Sequence, residues 1–147
     1  MDDLDAWDLV EPPRIEVVEN PHQPDLEFVE VEQDRHWLSL AVDGHPIAEH
    51  RSSGLLRTQL FLDVVTPSPD RRFLAYAMQR SHVLNAGKPA FIVPVDGSSE
   101  PLYLGSAVSA PIVWDPVRPR LYANALVGGR RAVYVWQLDK LFPDVAW

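Results

Sequence analysis

The distribution of proline is the feature that most limits how this chain can fold. Fourteen prolines are spread over its 147 residues, and each fixes φ and lacks the N–H that helices and interior strands use. The best proline-free window with helical spacing is 55–65, LLRTQLFLDVV, which also reads as a strand. Elsewhere, short β-branched and aromatic runs alternate with turn residues. The sequence therefore predicts a mostly β protein built from antiparallel meanders of short strands, with little helix.

A turn followed by an apolar strand, SPDRRFLAYA at 68–77, has a counterpart later in the chain. Residues 68–69 align with 115–116 at an offset of 47, and 91–96 align with 134–139 at an offset of 43. A longer loop in the first copy absorbs the difference. A fainter third copy precedes these two, with three apolar runs, an Asp-Gly turn and another short run.

These copies define the expected organisation of the chain. An acidic N-terminal segment, 1–13, precedes a single β-rich domain, 14–147. The domain contains three meander repeats, which cover 14–50, 60–104 and 111–147.

The repeated stretches have the pattern of a known fold. SPDRRFLAYA resembles the Ser-Pro-Asp-Gly turn and strand of WD-repeat-related β-propeller blades, with Arg71 where those blades usually have glycine. Residues 113–139 are similar to the first three strands of one blade, and the resemblance covers roughly 60–139. It implies a fold and no catalytic residues. A closed propeller needs four or more blades, and about 45 residues per blade allow three here, so the alternatives are oligomerisation, completion of a partner, a sandwich or a curved sheet.

Negative charge is concentrated in the first quarter of the chain. Residues 1–34 contain twelve acidic residues and one base, Arg14, and carry a net charge of −11, whereas residues 35–147 carry +3. Such a field disfavours nucleic acids and anionic membranes as partners and favours a basic protein surface, although acidic segments also keep small proteins soluble. The chain lacks cysteine, a secretory signal and a long apolar run. These features predict a cytoplasmic protein.

Residue types that carry chemistry occur without the spacing that enzymes need. The five histidines show no His-Glu-x-x-His pattern and are expected at the surface, no serine lies in a Gly-x-Ser-x-Gly elbow, and Gly128-Gly129 predicts a hairpin turn. We therefore expect no catalytic residue, metal site or cofactor. Pro94 inside AFIVPV predicts an edge strand or a bulge. Three tryptophans are expected in the core: Trp37, Trp114 and Trp136.

Charge and size together predict a non-enzymatic protein-binding module that docks on a basic partner through its acidic N-terminal third. Its most specific form is an inhibitor that occludes a basic toxin enzyme, as immunity proteins do. The predicted contacts are Asp2, Asp3, Asp5, Trp7, Asp8, Glu27, Glu30, Glu32 and Asp34; tryptophan is enriched at interface hot spots. The alternatives are a propeller-like scaffold subunit that acts through homo-oligomerisation, and a hydrolase assembled from scattered His, Asp and Ser residues.

Overall fold

The computed structural model describes residues 29–34, 37–51, 60–80 and 88–147. Short strands fill most of these ranges, and one helical turn follows the last strand. The elements are β1 (Val29–Asp34), β2 (Trp37–Val42), β3 (His45–Arg51), β4 (Leu60–Pro67), β5 (Phe73–Arg80), β6 (Lys88–Pro94), β7 (Leu102–Trp114), β8 (Arg120–Val127), β9 (Arg130–Gln137) and α1 (Leu138–Leu141).

The strands form two antiparallel sheets. One has the order β1-β2-β3 and the other the order β4-β5-β6-β7-β8-β9, so within each sheet every strand pairs with the strands that precede and follow it in sequence. The predicted mostly β fold of antiparallel meanders is therefore confirmed. Within the ambiguous window 55–65, the strand interpretation is right from Leu60 onward, and 55–59 lie outside the described residues.

The long strand β7 divides the six-stranded sheet into two parts. Its first half pairs with β6 and its second half with β8, with register shifts between Ala107 and Ile112. Bulges of this kind bend a strand, and the two parts of the sheet share one core of apolar side chains. The fold thus has three layers: the first layer (β1–β3), the middle layer (β4–β6 with the first half of β7) and the third layer (the second half of β7 with β8 and β9).

The middle layer is buried on both faces. Along β5, the odd-numbered residues of Phe73–Ala77 pack toward the third layer, and the even-numbered residues of Leu74–Met78 pack toward the first. Burial on two faces removes the alternation of apolar and polar residues that a half-exposed strand shows. It therefore explains why this strand reads as the unbroken run FLAYAM.

The repeated turns have the same hydrogen bonds. The Ser68 N–H donates to the carbonyl of Phe73 at 2.8 Å, and the Asp115 N–H donates to the carbonyl of Arg120 at 2.9 Å. Both the donors and the acceptors are 47 residues apart, as are the starts of β5 and β8. The turn that precedes each of these strands is thus closed by the same backbone hydrogen bond in the two copies.

Strand register follows the second offset. Leu74 pairs with Val93 in the middle layer, and Leu121 pairs with Trp136 in the third layer. The first members of these pairs are 47 residues apart and the second members 43. The two layers therefore repeat their side-chain pairing as well as their turns.

The strand that contains Pro94 lies in the interior of the sheet, so the prediction of an edge strand was wrong. β6 pairs with β5 on one side and with β7 on the other, and its bulge lies between Ala90 and Phe91. Pro94 is the last residue of β6 and follows Ile92, where pairing with β7 ends. Because no N–H is needed at that point, the strand accommodates proline without losing a ladder bond.

The chain after β9 closes one end of the core. Leu138 of α1 and Phe142 are buried in the core between the middle and third layers. The Trp147 ring stacks on Phe73 with ring centroids 5.4 Å apart, and the guanidinium of Arg72 lies over the indole. Within the described ranges, no helix has the length and apolar content that a membrane crossing requires.

Candidate protein-binding surface

The first layer has one face in the core and one face turned outward, here called the outer face. Leu38, Leu40 and Val42 of β2 are buried against the middle layer, so the residues between them point the other way. The register places three rows across the outer face: Trp37 and Arg51; Glu32, Ser39 and Glu49; and Glu30, Ala41 and Pro46.

Two of the predicted contact residues lie on the outer face. Glu30 and Glu32 are exposed side chains of β1, and Asp34 occupies the next position of the same alternation. The structure does not address the remaining predicted contacts, which lie outside the described residues: Asp2, Asp3, Asp5, Trp7, Asp8 and Glu27. The placement of Glu30 and Glu32 follows from the period of two along a strand.

Trp37 lies on the outer face, so its prediction as a core residue was wrong. Its indole N–H donates to Glu49 Oε1 at 2.9 Å, and Glu49 also accepts from the guanidinium of Arg51 at 2.6 to 2.7 Å. The hydrogen bonds from Trp37 and then Arg51 lower the pKa of the Glu49 carboxyl below its ordinary value. Sequence reasoning missed Trp37, Glu49 and Arg51 as surface residues. In WLSLAV the alternation places Trp37 on the same face as Ser39 and on the opposite face from the two leucines, but it does not indicate which face is buried.

Small side chains form the middle of the outer face. Ser39 and Ala41 lie on the central strand β2, between Glu30 and Glu32 of β1 on one side and Glu49 of β3 on the other. The described side chains of this face thus include three exposed carboxylates and one exposed guanidinium, that of Arg51. A shallow strip with acidic borders can accept a cationic side chain from outside.

The outer face differs from the corresponding faces of the other two layers. The face of the middle layer that is turned toward the first layer carries Leu74, Tyr76 and Met78. The face of the third layer that is turned toward the middle layer carries Leu121 and Trp136. All five side chains pack against the preceding layer. Stacked repeats need a polar surface where the stack ends. The first layer has that property, which favours contact with solvent or with a polar partner over a further apolar layer.

A histidine lies on the opposite, buried face of the first layer. His50 is 3% exposed, so its prediction as a surface residue was wrong. Its Nε2 is within hydrogen-bonding distance of the Tyr76 hydroxyl on β5. Burial lowers the pKa of His50 to about 4 and raises the pKa of Tyr76 well above its ordinary value. Both side chains are therefore uncharged near neutral pH.

Two of the cavities that adjoin the layers are lined in part by His50 or by Trp114. One of about 570 Å³ lies between β3 and the loop after β6, and Glu49, His50 and Glu100 contribute to its walls. The other, of about 280 Å³, lies between the two repeated turns beside Trp114 and Trp147. Among the described residues, no three His, Asp or Glu side chains are arranged to hold a metal ion.

Serine hydroxyls near these cavities serve the turns. Ser68 Oγ donates to Asp70 Oδ1 at 2.6 Å and accepts from the Phe73 N–H at 3.0 Å, while Ser99 Oγ donates to the carbonyl of Glu100 at 3.1 Å. These bonds fix loop geometry. The hydroxyls of Ser68 and Ser99 therefore have a structural role in these turns.

Comparisons with known proteins give no family for this chain. No protein-family model matches it, and neither the curated proteins nor the solved structures include a significant match. The candidate surface consequently rests on its own geometry.

Proposed function

We propose that the protein is a non-enzymatic binding module that docks on a basic protein through the outer face of the first layer. The observation that carries the proposal is the polar character of this face, where Glu30, Glu32 and Glu49 are exposed. The corresponding faces of the other layers are apolar and packed. A sheet face that needed only to end the stack could carry any polar residues, whereas this one is predominantly acidic.

The electrostatics of the outer face suit rapid association with a cationic surface. Complementary potentials raise association rates by orders of magnitude at low salt, and the effect is screened over about 10 Å at 0.1 M ionic strength. The carboxylates are exposed, so they contribute little to the stability of the fold itself. Their effect is therefore expected in the association rate more than in folding.

Trp37 supplies the apolar part of the proposed contact. Tryptophan is enriched among the residues that dominate binding energy, and an indole also attracts cations to its ring face. The bond from its N–H to Glu49 holds the ring in one orientation, which reduces the side-chain entropy lost on binding. An arginine or lysine of the partner, placed over Ser39, would have the indole on one side and carboxylates around it.

The more specific form of the proposal is an inhibitor that occludes a basic enzyme, such as a toxin that acts on an anionic substrate. The net charge of −8 and the acidic outer face support it. An enzyme that binds an anionic substrate has a positive cleft, and an acidic surface complements that cleft.

The test is association kinetics with the partner captured from the native host on immobilised protein. The double variant Glu30→Gln/Glu32→Gln is expected to slow association about tenfold at low salt. The matched control is Asp139→Asn/Asp144→Asn, which removes two exposed carboxylates that lie outside the first layer. Its association rate is expected to stay close to that of the wild type.

Two outcomes would contradict the proposal. Equal effects of the two double variants would show that overall charge matters and the outer face does not. An affinity that stays constant between low and high salt would show that binding is not electrostatic. Light scattering on the free protein tests the scaffold alternative. Homo-oligomers that dissociate in the Glu30→Gln/Glu32→Gln variant would show that a second copy of the chain, and not a different protein, binds the outer face.

A further inference from the structure

The contact between the first and middle layers contains a buried histidine. His50 on β3 lies against Tyr76 of β5 and Phe91 of β6, and its ring centroid is 4.7 Å from that of Phe91. Tyr76 and Phe91 belong to the apolar core that joins the two layers. A titratable ring thus occupies the one interface that connects the outer face to the rest of the described structure.

The direction of the His50–Tyr76 hydrogen bond follows from burial. Tyr76 is 0% exposed, and its hydroxyl needs an acceptor, because an unsatisfied buried O–H is costly. The Nε2 of a neutral imidazole is such an acceptor, which leaves the ring proton on Nδ1. Protonation of His50 would place a proton on Nε2, turn the acceptor into a donor and leave the Tyr76 O–H without a partner.

We infer that His50 is an acid-sensitive contact that holds the first layer on the six-stranded sheet, and that its protonation releases the layer carrying the outer face. The separation of the layers is independent of the proposed function. Release of a bound partner by acid, by contrast, rests on that function.

The charged groups that the structure describes around His50 do not offset the burial of a cation. On β3 its neighbours are Glu49, whose carboxylate is committed to Trp37 and Arg51, and Arg51 itself. Across the interface, β2 presents Leu38 opposite His50, β5 presents Tyr76 and β6 presents Phe91. Glu100, in the loop after β6, shares the 570 Å³ cavity with His50 and is exposed.

The desolvation of His50 outweighs the attraction between a protonated His50 and the carboxylate of Glu49. Burial lowers the pKa of His50 to about 4 in spite of the favourable charge of Glu49. In a detached layer the imidazole would return to its ordinary pKa near 6.5. The equilibrium between attached and detached layers therefore shifts about tenfold per pH unit between pH 6.5 and pH 4, in favour of the detached layer as the pH falls.

The arrangement of the sheets explains why the first layer would detach while the six-stranded sheet stays folded. Among the described strands, none of the first layer pairs with a strand of the six-stranded sheet, so side-chain packing is the main connection between the described parts of the two sheets. The middle and third layers are joined through β7 and have a core of their own that contains Trp114 and Trp136. A three-stranded sheet that loses its packing partner is expected to open locally while the larger core persists.

Hydrogen exchange measured from pH 7 to pH 4, with correction for intrinsic exchange rates, tests the inference on the whole chain without any partner. The opening constant of the β2 amides at Leu38–Val42 is expected to rise about tenfold per pH unit below 6.5. That of the β8 amides at Leu121–Ala125 is expected to stay constant. Opening of both strands together, or a β2 opening constant independent of pH, would overturn the inference.

Two variants separate His50 from other titrating groups. His50→Gln keeps an acceptor for Tyr76 and removes the titration, so the pH dependence of β2 opening should disappear. His45→Gln, which changes an exposed histidine of the same strand, should leave it intact. A pH dependence that persists in His50→Gln would overturn the inference.

A third variant covers the case in which His50→Gln does not fold. Tyr76→Phe removes the donor that favours neutral His50, so the pKa of His50 in the attached layer should rise, and the loss of β2 protection that begins near pH 6.5 should level off at a higher pH than in the wild type. An unchanged pH profile in Tyr76→Phe would contradict the role given to the bond. A partner that dissociates at acid pH only from proteins that retain His50 would connect the inference to the proposed function.

Discussion

Trp114 donates its indole N–H to the backbone carbonyl of Thr66 at 2.9 Å. The bond links β7 of the third layer to β4 of the middle layer, and both residues are buried. It joins two strands that are not neighbours in the sheet, so it fixes how the third layer lies on the middle one. The contact between these layers therefore depends on one specific polar bond as well as on apolar packing.

Trp114→Phe should destabilise the protein by about 2–3 kcal/mol, because the smaller ring leaves a cavity and the Thr66 carbonyl loses its donor. Chemical denaturation followed by circular dichroism measures the change. Trp37→Phe is the matched control, since Trp37 is only partly buried on the outer face. Its expected loss is below about 1 kcal/mol, and an equal loss in the two variants would contradict the structural role of the Trp114 bond.

Thr66→Val should stabilise the protein by about 1 kcal/mol. The Thr66 Oγ1 is buried and has no hydrogen-bond partner among the described residues, so a methyl group of similar shape removes the cost of an unsatisfied hydroxyl. Thr66→Ser retains that hydroxyl and deletes the methyl group, so it should be destabilising by about 1 kcal/mol. Thermal or urea unfolding of both variants measures the difference, and a less stable Thr66→Val would show that the hydroxyl is satisfied.

Much of the fold was predictable from sequence because the middle and third layers repeat backbone hydrogen bonds of their turns and the pairing of their strands. The offsets of 47 and 43 reappear as matching hydrogen bonds in the turns and matching pairs in the strands, such as Leu74 with Val93 and Leu121 with Trp136. Local turn chemistry and apolar runs are short-range properties. They determine the strands and their order in each meander.

The candidate site was harder to predict because it depends on which faces are covered. Alternation in WLSLAV separates Trp37 from Leu38, but it does not reveal which of the two faces packs on the middle layer. His50 follows Glu49 in an unremarkable polar run, and its burial results from Tyr76 and Phe91, which are distant in sequence. The arrangement of layers is a long-range property, so sequence reasoning placed Trp37 in the core and His50 at the surface.

Arg71→Gly should stabilise the protein by about 0.5–1 kcal/mol. Arg71 has a φ of 60°, in the left-handed region that costs residues with a Cβ about 1 kcal/mol and costs glycine little. Glycine is also the usual residue at this position in the blades that the turn resembles. Differential scanning calorimetry measures the shift in Tm.

The neighbouring residue provides the control for this change. Arg72 Nη1 donates to the carbonyl of Ala146 at 2.8 Å, and its guanidinium lies 5.0 Å from the centre of the Trp147 ring. Arg72→Gly loses both contacts and adds chain entropy to the unfolded state, so it should destabilise the protein by about 1–2 kcal/mol. Destabilisation of similar size in Arg71→Gly would show that the left-handed backbone is not a source of strain.

Asp115→Ala should destabilise the protein by about 2 kcal/mol, because Asp115 supports the second repeated turn from a buried position. Its Oδ1 accepts the N–H groups of Val117 and Arg118 at 2.9 Å, and its Oδ2 accepts from the Arg118 guanidinium at 2.8 to 3.0 Å. Loss of these acceptors leaves backbone donors without partners. Asp96→Ala, which removes an exposed turn carboxylate bonded to the Ser98 N–H, should cost less.

The pH dependence of stability in a second variant, Asp115→Asn, also tests whether the carboxylate of Asp115 supports the turn. Burial by itself raises the pKa of Asp115, but the N–H groups of Arg118 and Val117 and the Arg118 guanidinium outweigh it and lower the pKa below its ordinary value. A carboxylate with a lowered pKa stabilises the folded state above its unfolded pKa, near 3.9, and this contribution disappears as the pH falls through the folded value. The difference in unfolding free energy between wild type and Asp115→Asn should therefore be constant from pH 7 to about pH 5 and shrink below pH 4. A difference that grows on acidification would mean that the neutral form of Asp115, and not its carboxylate, supports the turn.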